Sequence, residues 1–407
     1  MRNTTAKNVM RKSRITLVAP LLLCLVLSQY LAAQRSYTVT DVGRVNDLND
    51  ETAGAAGINN AGLVVGQALL PSGPDRAFLW IRGDIFDLGT FGGSASGARA
   101  INARGDIVGK ADTFAGPEHA FFWETGKLLD LGTFGGAFSE ANGINARGWT
   151  VGFSATTIPD PTGTTGPQES HAFVRIPNGP LQDIGTLGGP NSIAIGINDN
   201  GRIVGWSQVD FNIGDFGIPD LHAATWVDGV ITDLGGLGGA VTLALAANNR
   251  GVAVGQSFLA GNPTFHAVLW ENGTLHDLGT LPGDFASAAS DINSKGTVVG
   301  ASLSDTFSPR AFIWQSGVMT DLNSLIHAGS GWFLLSATHI NDTNQIVGNG
   351  FFNGELHAFL LTPSFGGGRT GSPKTSSPVS LSDTTRQWLI WGRSGLLKHE
   401  SGRFKSH

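Results

Sequence analysis

A histidine or arginine followed by alanine recurs at seven positions spaced along the sequence, and at six of these an aspartate follows 11 or 12 residues later. The basic residues are Arg76, His119, His171, His222, His266, Arg310 and His357. The aspartates are Asp87, Asp130, Asp183, Asp233, Asp277 and Asp321. Imidazole and carboxylate groups bind metals and move protons. The spacing therefore raises the possibility of repeated metal or acid–base sites.

Arginine at two of the seven positions argues against that chemistry. A guanidinium is neither an ordinary metal ligand nor a general base, but it donates hydrogen bonds to carboxylates as histidine does. We therefore predict that the repeated basic and acidic residues form buried structural hydrogen-bond networks, and that no catalytic or metal site lies among them.

The same residues belong to a longer phrase that returns seven times, Ile-Asn-x-x-Gly, Val-Gly, His/Arg-Ala-Phe and Asp-Leu-Gly, with variations. Its asparagines are Asn59, Asn102, Asn145, Asn198, Asn248, Asn293 and Asn341, at intervals of 43 to 53 residues. A repeat of this length is one supersecondary unit that must pack on its neighbours. The seven units therefore predict one array or ring.

Each unit contains four short apolar segments separated by glycine-rich or polar turns. Asparagine and glycine, as in residues 102–105, are suited to a tight turn in which the asparagine side chain holds the backbone. Four strands per unit predict an all-β protein, a seven-bladed β-propeller of four-stranded antiparallel blades. A lone strand at 37–43 and an incomplete last unit ending at 363 predict that the N-terminal strand completes the last blade and closes the ring.

The His-Ala-Phe phrase, with Asp-Leu-Gly-Thr-Leu-Gly-Gly and Ile-Asn-x-x-Gly, resembles the HAF family of bacterial extracellular repeats. The resemblance covers residues 37–363. It implies an exported bacterial protein and assigns no biochemical activity. Some members of that family end in a sorting signal with a Pro-Glu-Pro element, which this sequence does not contain.

The N-terminus has the layout of a secretory signal peptide over residues 1–33, with basic residues, an apolar run at 15–27, and small residues at Ala32 and Ala33. A transmembrane helix is the alternative, but the run is shorter than the roughly 20 residues that cross a bilayer. Cys24, the only cysteine, would leave with the signal. We therefore expect a secreted protein, extracellular or periplasmic, that has no thiol and no integral membrane span after processing.

The predicted domains are the signal peptide, the propeller at 34–363, and a Gly/Ser/Pro-rich linker with a disordered basic tail at 364–407. The propeller segment contains 14 basic and 30 acidic residues, so it lacks the basic surface of a nucleic-acid-binding protein. We expect a monomer whose partner is a glycan or another protein.

Two units depart from the repeat between the Val-Gly and His-Ala-Phe segments, where they carry insertions at 155–169 and 208–220. The second insertion supplies Asp210, Phe211, Asp215, Phe216 and Asp220, and the long connection before Asn341 supplies His327 and Trp332. Carboxylates beside aromatic rings suit sugar stacking and hydrogen bonding. Solvated loop charge is the simpler interpretation of the same residues.

The candidate ligand-binding residues are Asp210, Phe211, Asp215, Phe216, Asp220 and Trp332, and no catalytic residue is assigned. The spacing Asp210-x-Asn212-x-x-Asp215 only faintly resembles a calcium loop, because the glycine position and the closing glutamate differ. We expect no cofactor, with Ca²⁺ as the weaker alternative. The predicted function is a non-catalytic binding propeller. The alternatives are a carbohydrate-active enzyme that uses acidic residues at the propeller mouth, which would need two carboxylates about 5 to 10 Å apart, and a purely structural surface or matrix protein.

Overall fold

The computed structural model describes residues 36–44, 54–69, 74–213, 219–261 and 264–364. The predicted signal peptide and the predicted tail beyond residue 364 lie outside the described residues. Within them, the secondary structure consists of strands β1 to β28 in chain order and one 3₁₀ turn at Leu322–Leu325.

Each repeat supplies a first, a second and a third strand, and six repeats also supply a fourth. The first strands are β2 (Gly54–Ile58), β6 (Gly92–Ile101), β10 (Ser139–Ile144), β14 (Ser192–Ile197), β18 (Gly238–Ala247), β22 (Asp284–Ile292) and β26 (Trp332–Ile340). The second strands are β3 (Val64–Leu69), β7 (Ile107–Thr113), β11 (Thr150–Pro159), β15 (Ile203–Ile213), β19 (Ala253–Leu259), β23 (Val298–Ser304) and β27 (Ile346–Phe352).

The third and fourth strands complete the sheets. The third strands are β4 (Asp75–Ile81), β8 (Glu118–Glu124), β12 (Gln168–Arg175), β16 (Pro219–Val227), β20 (Phe265–Glu271), β24 (Pro309–Gln315) and β28 (Glu355–Ser364). The fourth strands are β5 (Asp84–Asp87), β9 (Lys127–Asp130), β13 (Gln182–Asp183), β17 (Val230–Asp233), β21 (Thr274–Gly279) and β25 (Val318–Asp321). The lone strand β1 (Ser36–Arg44) precedes them all.

The strands form five separate four-stranded antiparallel sheets and one eight-stranded sheet. The eight-stranded sheet contains the strands of repeats 4 and 5, which a single parallel pairing of Leu221 with Val241 joins. The prediction of seven separate four-stranded blades is therefore corrected to five. The two repeats merge because the backbones of Leu221, directly before His222 in β16, and of Val241 in β18 lie close enough to pair at this one position.

The N-terminal strand β1 lies antiparallel to β28, in the sheet that contains the last repeat. Its register runs from Ser36 opposite Ser364 to Arg44 opposite His357, with a bulge between Asp41 and Gly43. The predicted pairing of the first and last strands is thus present. It places Asp41 in the position that the fourth-strand aspartates occupy in the other repeats.

The seven repeated asparagines form a closed circuit of hydrogen bonds between repeats. Each side-chain amide donates to the backbone carbonyl of the asparagine in the next repeat, over 2.8 to 3.2 Å, and Asn341 donates to Asn59. Each amide oxygen accepts backbone N–H groups of its own turn, as Asn198 does from Asn200 and Arg202. The asparagines are only 2% to 5% exposed. Both ends of every side chain are therefore used, one for the turn and one for the neighbour.

The glycine of the Val-Gly segment permits close approach of the first two strands of each repeat. A Cβ at any of these glycines would lie 1.9 to 2.0 Å from a carbonyl oxygen of the facing first strand. The positions are Gly66, Gly109, Gly152, Gly205, Gly255, Gly300 and Gly348. All seven facing strands carry a bulge beside this contact. The glycine is thus required by a backbone contact and not by a turn.

Apolar and hydroxyl side chains pack the sheets against one another. Trp226 is 1% exposed and contacts residues of repeats 3 and 4, and Trp80 and Trp270 are similarly buried between sheets. Ser139, at 0% exposure, accepts from the backbone N–H of Ala120 and donates to the carbonyl of Gly132, both in the preceding repeat. Such serines satisfy buried backbone groups that the sheets leave unpaired.

The first strands of all seven repeats surround one central cavity of about 140 Å³. The asparagine turns connect the first and second strands at one end of it, which we call the asparagine face. The strand registers place the second-to-third-strand connections, and the connections between repeats, at the other end. We call that end the insertion face, because the 155–169 and 208–220 segments lie there. Among the described residues, no helix is long and apolar enough to cross a bilayer.

Candidate functional site

The repeated histidines and aspartates lie together at the insertion face. The Nδ1 atoms of five histidines approach their aspartates to between 2.6 and 2.9 Å. The pairs are His119 with Asp130, His171 with Asp183, His222 with Asp233, His266 with Asp277, and His357 with Asp41. In each pair the aspartate lies opposite the residue two positions after the histidine. The antiparallel register therefore places the two side chains diagonally across neighbouring strands.

The two arginine positions differ from each other. The Nη1 of Arg310 donates to Asp321 over 3.1 Å, and its Nη2 donates to Asp284 over 2.7 Å. Burial opposes the charge, but the two carboxylates outweigh it and raise the pKa of Arg310. Arg76 shows no ion pair with Asp87 among the described residues, and its buried Nε has no hydrogen-bond partner there. Arg310 therefore pairs with the aspartate of its repeat as the histidines do, and Arg76 does not.

The aspartates also hold the turns that follow the fourth strands. In each repeat the carboxylate accepts the backbone N–H two residues later, over 2.7 to 3.0 Å. The donor is a glycine with positive φ in every repeat except the sixth, where it is Asn323 at the start of the 3₁₀ turn. These side chains therefore form Asx turns as well as ion pairs.

The ion pairs are more exposed than the sequence suggested. The His119 side chain is 25% exposed and that of Asp130 is 41% exposed, and the other aspartates that pair with histidine are 40% to 45% exposed. The expectation of a buried network is corrected accordingly. The pairs lie at the ends of the strands, where solvent reaches the carboxylates and screens the attraction.

This exposure sets the expected effect of removing one histidine. His119→Gln should lower the free energy of unfolding by less than about 1 kcal/mol, because exposed ion pairs contribute little. Urea unfolding of the variant beside the wild type measures the difference, with Asp130→Asn as the matched change on the partner. A loss above about 2 kcal/mol would instead indicate a buried network.

The insertion of repeat 3 is held to repeat 4 by a buried polar network. Asn191, at 0% exposure, donates to Asp160 over 2.9 Å and to Gln208 over 2.6 Å. Its amide oxygen accepts from Thr165 and from the backbone of Ser170, each over 2.8 Å. All of its hydrogen-bonding groups are therefore used, and one side chain ties the insertion to the first and second strands of the next repeat.

Asp160 organises the tip of the same insertion. Its carboxylate accepts from the backbone N–H groups of Thr162 and Thr164 and from the hydroxyl of Thr162, over 2.7 to 2.9 Å. Gln208, also at 0% exposure, donates to Thr164 over 3.2 Å. The loop is thus shaped by its own side chains before any ligand arrives.

The second insertion contributes part of the predicted set. Asp210 accepts from the backbone and the side chain of Asn212, and Phe211 is 57% exposed. Asp220 is partly buried at the start of β16. Asp215 and Phe216 lie outside the described residues, so the predicted calcium spacing is described only in part. Among the described residues, no group of three or more His, Cys, Asp or Glu side chains is arranged to hold a metal ion.

Trp332 lies apart from these insertions. Its ring stacks on Phe352 with centroids 5.0 Å apart and makes edge contacts with His357 and Phe359. His327 is exposed and its Nδ1 accepts the backbone N–H of Gly329. The structure therefore does not bring Trp332 together with Asp210, Phe211 and Asp220.

A carboxyl–imidazole–carboxylate series lies at the base of the first insertion. His171 Nδ1 is 2.6 Å from Asp183, and its Nε2 is 3.7 Å from Glu169. The hydrogen bond to Asp183 raises the pKa of His171. Burial raises the pKa of Glu169, which is 9% exposed; the charge of His171 opposes this shift, and nearby Asp160 adds to it. Partial burial alone would raise the pKa of Asp183, but hydrogen bonds from His171 and Gly185 lower it.

The shift of His171 predicts how the stability of the protein depends on pH at this series. Because the pKa of His171 is raised, the His171–Asp183 pair stabilises the folded protein fully when the pH is below the ordinary histidine pKa, near 6.5. This stabilisation is lost as the pH rises through the pKa of His171 in the folded protein. The stability difference between wild type and His171→Gln should therefore be larger at pH 5.5 than at pH 9, by less than about 1 kcal/mol. Urea unfolding at both pH values measures it, and a difference that grows with pH would contradict the assignment.

Sequence reasoning did not identify Asn191, Gln208 and Glu169. Asn191 and Gln208 are ordinary polar residues beside strands, and only their positions next to the two enlarged connections could have pointed to them. Glu169 could have been noticed because repeats 4 and 7 also carry an acid two residues before the histidine, at Asp220 and Glu355.

Comparison with known proteins finds likeness of fold alone. No family model and no curated protein matches the sequence. The β-propeller domain of the Trilobed protease from Pyrococcus furiosus is 10% identical, with a TM-score of 0.47 over 80% of this chain and 93% of that one. The acylaminoacyl peptidase of Pyrococcus horikoshii is 12% identical, with a TM-score of 0.45 over 73% of this chain and 49% of that one.

A mutant of the Aleuria aurantia lectin, in complex with alpha-methyl-L-fucoside, is also similar. It is 12% identical, with a TM-score of 0.36 over 70% of this chain and 94% of that one. The described sheets make this chain an all-β propeller of antiparallel blades.

Proposed function

We propose that this chain is an exported, monomeric, non-catalytic binding propeller whose ligand, a glycan or a protein, contacts the insertion face. The observation that carries the proposal is the buried network of Asp160, Asn191 and Gln208. It fixes the 155–169 insertion in one conformation against the next repeat. A preformed loop avoids the entropy of ordering on binding, which otherwise weakens recognition.

We further propose that the ring has seven blades, with the eight-stranded sheet counted as two. One residue pair joins its halves, and each half has four strands of its own. The closed circuit of seven asparagines supports this count, because each side-chain amide donates to the asparagine of the next repeat and the last donates to the first. A closed ring would hold the insertions of repeats 3 and 4 side by side.

The exposed groups on this rim suit a ligand that is partly apolar. Phe211 and Ile158 are 57% and 50% exposed and belong to the two neighbouring insertions. Asp210 directly precedes Phe211 in the sequence, and Asp220 ends the same insertion. An aromatic face beside carboxylates can stack on a sugar and accept hydrogen bonds from its hydroxyl groups, or contact an apolar side chain of a protein.

A carbohydrate-active enzyme is the second candidate, and Glu169 is the observation that favours it. The raised pKa of Glu169 is the property of a general acid. Glu169→Gln separates the two candidates, since it should abolish turnover by an enzyme while leaving the affinity of a binding module within about threefold.

The decisive experiment is a glycan array with the full exported chain, followed by analysis of each bound glycan for cleavage. Phe211→Ser should weaken binding at least tenfold, because the exposed ring is removed. Phe86→Ser is the matched control, since Phe86 is 50% exposed on the outer strand β5 and away from the insertions.

Each outcome distinguishes the candidates. Binding without cleavage, sensitive to Phe211 and not to Phe86, would support the binding module. Cleavage that Glu169→Gln abolishes would support the enzyme. No binding to any glycan would leave a protein partner or a structural surface role, and equal sensitivity to both phenylalanine changes would rule out the insertion face.

A further inference from the structure

The two faces of the described propeller differ sharply in charge. The insertion face carries 17 carboxylates and 4 basic side chains, a difference of −13. The carboxylates are Asp41, Asp75, Asp87, Asp112, Glu118, Asp130, Asp160, Glu169, Asp183, Asp210, Asp220, Asp233, Asp277, Asp284, Asp305, Asp321 and Glu355. The basic residues are Arg44, Arg76, Lys110 and Arg310. The asparagine face carries 7 acidic and 8 basic side chains, a difference of +1.

Exposed apolar side chains also lie at the insertion face. Phe114 is 91% exposed, Phe211 57%, Ile158 50% and Phe307 38%. Phe114 and Phe307 lie in the connections between the second and third strands of repeats 2 and 6, and Ile158 and Phe211 lie near the ends of the second strands β11 and β15. The excess of carboxylates around these side chains favours a cationic occupant that carries apolar groups of its own.

The chain itself contains a segment with that chemistry beyond Ser364. Residues 365–407 include seven basic residues and two acidic ones. The basic residues are Arg369, Lys374, Arg386, Arg393, Lys398, Arg403 and Lys405. Trp388, Trp391 and Phe404 are interspersed among them. This segment complements the insertion face in both charge and aromatic character.

The connection is long enough for the segment to reach that face. Strand β28 begins at the insertion face and ends at Ser364 on the asparagine face, and its ten residues span about 33 Å. The 17 residues at 366–382, which are rich in Gly, Ser, Thr and Pro, can extend over about 55 Å. A path around the outer edge to the insertion face therefore needs no rearrangement of the propeller.

We propose that residues 386–405 dock on the insertion face of their own chain. The exposed rings of Phe114 and Phe211 contact the tryptophans, and the basic residues lie among the carboxylates. The proposal does not depend on the proposed function. If both hold, the segment and the ligand compete for one surface, and ligand binding displaces the segment.

Carbodiimide cross-linking of the full chain tests this docking, because it joins a lysine to a carboxylate only when the two are in contact. Lys398 and Lys405 should link to insertion-face carboxylates such as Asp112, Asp160 and Asp210. The yield should fall at least fivefold in 1 M salt, where the Debye length is about 3 Å. Changing Arg386, Arg393 and Arg403 together to glutamate should reduce the yield similarly, while keeping both lysines.

An equal mixture of ¹⁴N- and ¹⁵N-labelled protein identifies the chain that supplies the segment. Linked peptides should carry one isotope only. Mixed-isotope links would overturn the proposal in favour of docking on a second copy. Links confined to asparagine-face carboxylates such as Asp228 and Glu271, or no links from either lysine, would overturn the docking itself. None of these readouts involves an external ligand, so the result stands whatever the glycan array shows.

Discussion

Asn198→Ala should lower the free energy of unfolding by about 3 to 5 kcal/mol. The change removes one hydrogen bond to the carbonyl of Asn248 and two from the backbone N–H groups of Asn200 and Arg202. The site is 4% exposed, so these three backbone groups lose their partners where water replaces them poorly. Each unsatisfied buried group costs about 1 to 3 kcal/mol. Urea unfolding of the variant and the wild type gives the difference.

Asn198→Asp divides this effect into its two parts. The carboxylate keeps an acceptor for the turn but replaces the donor that faces the carbonyl of Asn248 at 2.8 Å. Two acceptors then oppose each other, which raises the pKa of the new carboxyl above its unfolded value of about 3.9. The protonated form can donate again, so the variant should be closest to the wild type at low pH and lose stability as the pH rises.

Asn200→Ala is the matched control, since Asn200 donates over 2.7 Å to the carbonyl of Asn249 at an exposed site. Its expected loss is below about 1 kcal/mol. Equal losses for Asn198→Ala and Asn200→Ala would contradict the role given to the circuit. So would an Asn198→Asp variant whose deficit does not change with pH.

Gly205→Ala should destabilise the protein by more than about 3 kcal/mol. The added Cβ would lie 1.9 Å from the carbonyl oxygen of Ile193, which belongs to the paired first strand and cannot move aside as a side chain would. Overpacking in a core ordinarily costs about 1 to 3 kcal/mol, and here two hydrogen-bonded backbones must separate. Thermal unfolding of the variant measures the loss.

Gly329→Ala is the control for the glycine change. A Cβ there would meet only the ring of His327, which is exposed and can rotate away. We expect a change within about 0.5 kcal/mol. Similar destabilisation by both substitutions would mean that the Val-Gly glycine is not required by strand contact.

The repeat phrase predicted the all-β propeller because the residues that form the turns and the residues that pack between strands recur together in every repeat. The turn at residues 102–105, for example, needs an asparagine side chain and a glycine with positive φ, and both needs are visible in the sequence. The pairing of β1 with β28 was also predictable, since one end of the chain has a strand that the other end lacks.

The contact between repeats 4 and 5 was not predictable in the same way. It rests on one backbone pairing, of Leu221 with Val241, at a position that the repeat phrase does not distinguish from its counterparts in the other repeats. The same limitation applies to Asn191, whose partners come from three segments of the chain. Residue spacing predicts which residues are neighbours within one repeat. The contacts of Leu221 and Asn191 join segments of different repeats or of an insertion, and the spacing does not predict them.

The donor role of the asparagine amide also escaped the sequence reasoning, although a signal existed. An aspartate would hold the turn through the same two backbone N–H groups, yet all seven positions carry asparagine. The invariance of the amide within one chain was thus evidence for a second use of that side chain. For the histidines, the spacing predicted the aspartate partner but not the exposure of the pair, because accessibility depends on where the strands end.

The pairing of β1 with β28 also bears on how the chain is made. Ser36 and Ser364 lie opposite each other although 328 residues separate them. At a synthesis rate of roughly 5 to 20 residues per second, the first strand waits about 15 to 65 s for its partner. During that interval the edge that β28 will cover is open to other strands. The topology therefore leaves β1 without its partner strand until synthesis of the propeller is nearly complete.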